Sequence, residues 1–401
     1  MVVVAVAGGT GGIGGAIVDT LRPNPHHKMI ILTRKIPDAP HATDTFVTLD
    51  YSDVDAMAKA LDDNNVHTVI SALRVFDPAS SDAESNLVKA TAKAKIPKRF
   101  IASAWGIQYA DETPVGQARG RTLTELRTTD LEWTRFDNGF FLDYYGPPTF
   151  KSYMQRVAWA IDIAHKKAGI PGTGNEPMTF TYTFDVAKFV VAALDLPKWE
   201  QLMYCYGEKT TWNNVLKQAE ADKMIGSKFD VSYDPPEKLN KGEVTELPFN
   251  RNAADLPQKV LEGLMSLWGL YVLEGKYDMP TDKALNNVFP SIQPLKVEDR
   301  ILDANTHLVE NNMAVLEIGD LVAGPDVVDL ADLAFVKNVI KGINGISCDE
   351  TNFGMISTIK AVLSKNSLKP QARTTLLRSL SLHHHRPRAL HPLVPQILLH
   401  T

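Results

Sequence analysis

VVVAVAGGTGGIGGAIVDTL, from Val2 to Leu21, joins a β-branched apolar run to a glycine-packed turn and then to a segment with helical spacing. Gly9, Gly11 and Gly14 fit G-x-G-x-x-G, while Gly8, Gly11 and Gly14 fit the wider G-x-x-G-x-x-G. Strand, turn and helix in that order are the build of a dinucleotide-binding site. A pyrophosphate must meet backbone N–H groups at close range, and a side chain at Gly11 would hold it away. Thr10 adds a hydroxyl, and a helix beginning near Gly12 points unpaired N–H groups and its positive dipole end at the phosphates. Ile13, Ile17, Val18 and Leu21 fall on one helical face that packs on a sheet. Without the flanking strand and helix, the same glycines would read as a flexible turn.

The strand after this helix selects the cofactor. Met29 to Thr33 reads as strand two, and at its end an Asp or Glu would grip the ribose 2′-hydroxyl of NAD. This chain carries Arg34 and Lys35 there, two cations that suit a 2′-phosphate, so the expectation is NADP(H). The alternative is a pair of solvated strand-end charges.

At 401 residues, 44% of them apolar, the chain can bury one large core or two medium ones. A net charge of −5 gives no general basic excess for nucleic acid. Two cysteines, Cys205 and Cys348, make neither a disulfide framework nor a metal site and fit a reducing cytoplasm. The apolar N-terminus lacks a basic flank and runs into the glycine turn, so it reads as a strand and not a signal peptide. No apolar run reaches the roughly 20 residues of a membrane span.

Strand and helix signals then alternate with short connections, as a doubly wound parallel sheet requires. Phe46–Asp50, Val66–Ser71, Arg99–Ser103 and Leu131–Asp137 read as strands three to six. Between them lie three helices. Ser52 with Asp55 reads as a capping box for the first, Ser81 with Glu84 repeats that signal for the second, and the third spans about Thr113 to Arg127. Further on, Asp185 reads as the N-cap of a helix through Leu194, Trp212–Ile225 and Asp255–Leu273 have helical spacing, and Asp234-Pro235-Pro236 marks a loop between these two. Trp268 and Tyr271 read as packing residues.

Ligands bind at the carboxyl ends of such strands, which gathers the loops after Ala7, Ser71, Ser103 and Asp137 around one crevice, with Ser71, Ala72 and Ser103 beside the cofactor. The last two loops are rich in aromatics and glycine. Trp105, Tyr109, Phe140, Phe141, Tyr144 and Tyr145, with Asn138, are candidates to line a pocket for a flat, apolar small molecule, although such aromatics also serve as core and Asn138-Gly139 also suits a simple turn.

GGTGGIG (8–14), SAWGIQY (103–109), LEWTRFDNGFFLDYYGPP (131–148), TYTFDVAKFVVAALDLPKW (181–199) and ALNNVFPSIQP (284–294) occur in an order that resembles the NmrA-like and isoflavone reductase-like family of atypical short-chain dehydrogenases, and within it the fungal oxidoreductases. The resemblance runs from Met1 to about Ala304. It implies an α/β fold with a Rossmann-like NADP-binding domain over residues 1–160, to which later segments can add strands, a smaller substrate-binding region over 161–304, and an added segment, 305–401, that the family lacks. It also implies reduction of a carbonyl or activated double bond in an aromatic or polyketide-like molecule, as in secondary-metabolite pathways.

Catalysis is where this chain departs from the pattern. No Tyr-x-x-x-Lys pair exists in it, and the lysine that the resemblance places some fifteen residues before Thr134 is Arg119. A guanidinium stays protonated, so it can hold an oxyanion but not shuttle a proton. The acid expected beside Ser103 is Ala104. Tyr109, Tyr144 and Lys151 remain as candidate proton donors, with water as the other source. Two expectations result: an NADPH-dependent reductase acting on a small molecule, or a non-catalytic NADP sensor of the same family that works through a protein partner. From Thr351 onward the tail has no acidic residue, seven Lys or Arg and five His, and reads as a basic, poorly ordered extension; consecutive histidines such as His383-His384-His385 do not fix a metal geometry.

Overall fold

The computed structural model describes residues 2–146, 150–221, 227–251 and 257–299, all within one compact unit, Met1–Asn305. The expectations for the tail, for Pro147 and Pro148, and for helix residues 222–225 and 255–256 lie outside the described residues.

The first half of the chain runs β1 (Val2–Ala7), α1 (Gly12–Leu21), β2 (His27–Thr33), β3 (Phe46–Thr48), α2 (Val54–Asp63), β4 (Val66–Ser71), α3 (Pro78–Lys93), β5 (Arg99–Ile101), α4 (Pro114–Arg127) and β6 (Glu132–Asp137). The second half runs β7 (Phe140–Phe141), β8 (Ile161–Asp162), β9 (Lys167–Pro171), β10 (Pro177–Thr181), α5 (Thr183–Ala193), β11 (Leu202–Tyr204), β12 (Glu208–Thr211), α6 (Trp212–Glu220), β13 (Asp230–Asp234), α7 (Pro236–Leu239), α8 (Gln258–Leu273) and α9 (Leu285–Val288).

Seven parallel strands form the central sheet in the order β3-β2-β1-β4-β5-β6-β11. Strand alternation splits β1 between two layers, because successive side chains point to opposite faces. Val4 and Val6 meet Ile13, Ile17, Val18 and Leu21 of α1 and Val186, Phe189 and Val190 of α5. Ala5 and Ala7 face Met57 and Leu61 of α2, Leu87 and Val88 of α3, and Leu126 of α4. This is the doubly wound, Rossmann-like arrangement with helices on both faces. The strand order reverses between β1 and β4, and a ligand crevice belongs at that reversal.

The segments after β6 do not form a wholly separate body. β11 returns to pair with β6, and α5 packs on α1, so the central layer is completed from residues 183–204. The remainder builds two three-stranded sheets, β12-β10-β7 and β13-β9-β8, around a core dominated by Phe140, Trp159, Phe180, Trp212, Trp268 and Tyr277. Among the described residues no helix is long and apolar enough to cross a membrane.

Three helix starts differ from the sequence reading. Asp53, not Ser52, caps α2 by accepting from the Ala56 amide at 2.9 Å, while Ser52 bonds Asp50 through both its N–H and its hydroxyl. A carboxylate is the better acceptor at a helix's positive end. Helix α3 begins three residues before Ser81, with Asp77 as cap, Pro78 in the first position and Ser80 closing a capping box. Ser81 and Glu84 therefore lie inside the helix, each only 1% exposed. Asp185 sits in the first turn of α5 and is not its cap; its buried carboxylate accepts from Leu295 N at 2.8 Å and pairs with Lys188.

Candidate active site

The glycines of the first turn have separate tasks. Gly8 takes φ +78, and a Cβ there would lie 2.5 Å from the Ala72 carbonyl oxygen; at Gly14 it would lie 2.2 Å from the oxygen of Gly8. Gly9 is closed in by Val18 and Ile31. Gly11 differs from these, with extended backbone (φ −171) and, among the described residues, nothing within 4 Å of a Cβ position. The space above Gly11 is thus the open side of a turn whose other sides are packed. Helix α1 has no side-chain cap and no acidic residue in its first turn. An uncapped helix start beside an open glycine fits a phosphate, so these residues suit a dinucleotide. Thr10 is exposed at the tip and Ile13 is buried beneath it. One expectation is corrected: the Gly12 N–H is not unpaired but donates to the Tyr153 carbonyl at 3.2 Å.

Arg34 and Lys35 stand exposed just past β2, and Lys35 reaches Asp38 at 3.2 Å. Beside the glycine turn, Ala72 donates to the Ala7 carbonyl, and the Ser103 hydroxyl holds the carbonyl of Leu73 at 2.6 Å. The Ser71 carbonyl accepts from the Trp105 indole at 3.2 Å. The loops after β1, β4 and β5 are therefore tied to one another by backbone and side-chain contacts.

Beneath the loop after β5 lies a row of buried and half-buried titratable groups. The Glu84 carboxylate accepts the Ser103 N–H at 2.7 Å; burial pushes its pKa up, opposed by that bond, by the hydroxyls of Ser71 and Thr122, and by the charge of Arg119. Arg119 donates from Nη1 to the Trp105 carbonyl at 3.0 Å and stacks its guanidinium over Tyr109, 4.9 Å from the ring centre. Its buried Nε has no partner among the described residues. Burial lowers the Arg119 pKa, while Tyr109, Glu84 and Asp137 raise it, and the group remains a cation. At the end of β6, Asp137 pairs with Arg135 at 2.5 Å, and Arg135 also reaches Gln108 at 3.0 Å. Burial pushes the Asp137 carboxyl up to about 6 against the pull of Arg135 and Arg119.

The remaining candidates are distributed differently. The Tyr109 hydroxyl is buried against the Trp268 indole at 2.7 Å, with burial raising its pKa. Lys151 does not join Arg119; it pairs with Asp19 of α1 at 2.5 Å and lies over Phe184. Phe140 and Tyr145 are packed into an aromatic core: Phe140 lies against Tyr144, Trp159 and Trp268, and the Tyr145 hydroxyl bonds the Trp159 carbonyl. Trp105 is likewise stacked on Phe136 and 6% exposed. The physical reason is that the second lobe has small sheets and fills its interior with large rings. Tyr144 and Phe141 stay half-buried. Asn138 is fully buried and accepts from Gly106 N at 2.9 Å, with Gly139 at φ +70 behind it. A cavity of about 520 Å³ lined by His26, His27, His67, Arg99 and Asp195 opens at the opposite, amino-terminal edge of the sheet, away from these groups.

Residues 8–153 match the family model described as NAD(P)H-binding. The chain is 40% identical over 235 residues to Oxidoreductase BOA1 of Botryotinia fuckeliana, covering 57% of this chain and 78% of that protein. It is 30% identical over 333 residues to Oxidoreductase swnN of Metarhizium robertsii, covering 75% of this chain and 96% of that one. The chain belongs to the NmrA-like and isoflavone reductase-like oxidoreductases. Its fold is shared with leucoanthocyanidin reductase of Vitis vinifera, solved with NADPH, at a TM-score of 0.58 and 17% identity over 77% of this chain and 99% of that one.

Within this oxidoreductase, sequence reasoning missed Glu84, Arg135 and Asp137. Glu84 was hidden by its resemblance to a capping residue. The stronger signal was Asp77-Pro78, a capping acid followed by the residue best suited to the first helical position, which places Glu84 seven residues into the helix on the face turned to the sheet. Arg135 and Asp137 sit two apart on β6, so they share one sheet face, and two charges on a strand buried on both sides are a sign of pairing.

Proposed function

We propose that this oxidoreductase uses NADPH to reduce a carbonyl or activated double bond in a small aromatic or polyketide-like molecule of secondary metabolism, and that Arg119 receives the developing oxyanion. The observation that carries this reading is the state of Arg119: fixed by the Trp105 carbonyl and the Tyr109 ring, half-buried, charged, and with a buried Nε that has no partner among the described residues. An unpaired buried donor is costly unless a ligand completes it. A preorganised cation in a site of low dielectric stabilises negative charge on a substrate oxygen far more than the same group in water. NADPH, when bound, supplies the hydride. Arg119 keeps its proton throughout, so the proton that completes the product comes from solvent water. Arg34 and Lys35 favour NADPH over NADH, since both stand exposed at the end of β2, where a 2′-phosphate would lie.

The test is oxidation of NADPH in the presence of a panel of quinones, enones and aromatic ketones. Turnover by the wild type, lost at least about tenfold in Arg119→Met while NADPH binding stays within about twofold, supports the reading. NADPH binding with no turnover on any acceptor would favour a sensor that acts through a protein partner.

A further inference from the structure

Neither glycine pattern requires Gly12 or Gly15, and the structure shows what these two positions receive. Residues 150–155 cross the first turn of α1. The Tyr153 carbonyl accepts the Gly12 N–H at 3.2 Å, and the Tyr153 ring lies so close to Gly15 that a methyl group there would sit 2.7 Å from a ring carbon. The Tyr153 hydroxyl donates to Asp19 at 2.7 Å, where Lys151 and Arg22 also converge. Burial pushes the Asp19 carboxyl up, but these three donors outweigh it and hold it below the usual range. The segment is fastened on its other side as well. Tyr182 donates its hydroxyl to the Lys151 carbonyl at 2.5 Å, the Ser152 hydroxyl bonds buried Asp143 at 2.6 Å, and the Tyr153 ring stacks on Phe184.

An amide N–H is a single donor. The Gly12 N–H belongs to the first position of α1, among the donors that a phosphate draws on at a helix start. Committed to a carbonyl, it is withheld from an anion that would bond it more strongly. We infer that residues 150–155 are a latch that competes with the cofactor's pyrophosphate for the Gly12 N–H, so that dinucleotide binding and latch release are coupled. A latch closed about nine-tenths of the time weakens apparent affinity about tenfold, because only the open fraction binds.

Two variants open the latch from opposite sides. Gly15→Ala places a methyl where the Tyr153 ring lies, while alanine favours the helix. Tyr153→Ala removes the ring and hydroxyl and leaves α1 intact. The dissociation constant for NADPH is read by nicotinamide fluorescence on the full chain, with a melting curve to confirm that each variant folds. Both variants are expected to bind NADPH about three- to tenfold more tightly, and the double variant no more tightly than either, since one latch is removed twice. Unchanged or weaker binding in the folded variants, or no NADPH binding by any of them, overturns the inference; Tyr153→Ala decides alone if Gly15→Ala does not fold. The readout is binding and not turnover. A protein that binds NADPH more tightly in these variants yet reduces nothing ends the reductase reading and leaves the latch standing.

Discussion

Replacing Gly11 by alanine separates binding from folding. The residue has extended backbone, which any side chain adopts, and its Cβ would meet nothing within 4 Å among the described residues. Losing a glycine stabilises the fold by roughly 0.4–1 kcal/mol through the unfolded chain, and losing it at an N-cap costs about as much. Stability should therefore stay within about 1 kcal/mol of wild type. The methyl stands where a phosphate must approach the turn's amides. Loss of one or two charge-assisted hydrogen bonds, at roughly 1.5–3 kcal/mol each, raises the NADPH dissociation constant at least about tenfold. Gly14→Ala is the control, since its Cβ would lie 2.2 Å from the Gly8 oxygen and the backbone has to move, at about 3 kcal/mol or more. Urea unfolding and NADPH titration on both variants give the comparison. Wild-type NADPH affinity in Gly11→Ala, or its unfolding as early as Gly14→Ala, would refute the division of labour among these glycines.

Three further outcomes are expected. Arg34→Asp should shift preference from NADPH toward NADH by at least about tenfold, read from the two dissociation constants. Glu84→Ala should destabilise the fold by about 3–5 kcal/mol in urea unfolding, because it strands the Ser103 N–H and leaves a cavity where a fully buried side chain stood, whereas Glu84→Gln keeps an acceptor and the volume and should cost less. Asp137 has a folded pKa raised by burial to about 6, so its charged form is disfavoured in the fold: the stability it allows is fully present below its unfolded pKa and is lost as pH rises through about 6. The stability of Asp137→Asn relative to wild type should therefore improve by up to about 3 kcal/mol between pH 4 and pH 7, and a pH-independent difference would show that Arg135 keeps the carboxylate ionised.

The central sheet was legible because its signals are local. β1, the glycine turn and α1 lie within twenty residues, and a turn that needs glycine at Gly8 and Gly14 announces itself in composition. The strand runs of β2 to β6 were equally readable, with ends one or two residues too long at β3, β5 and β6. What was not legible depends on contacts distant in the chain. Nothing local in Leu202–Tyr204 says that it pairs with β6, and nothing local in Glu84 distinguishes a capping acid from one that receives the Ser103 N–H from a strand end. Aromatic residues after β6 read either as pocket or as core; the packing of Phe140 and Tyr145 was not legible because Trp159, Trp212 and Trp268 arrive from far along the chain to meet them.

The most direct test of the reductase reading is a turnover of NADPH deuterated at the nicotinamide carbon that gives the hydride, with the carbonyl and enone panel as acceptors and mass spectrometry of the products. Hydride transfer in this site predicts one deuterium on the reduced carbon of a product, formed by the wild type and at least about tenfold more slowly by Arg119→Met. Bound NADPH that leaves every acceptor unlabelled would contradict it.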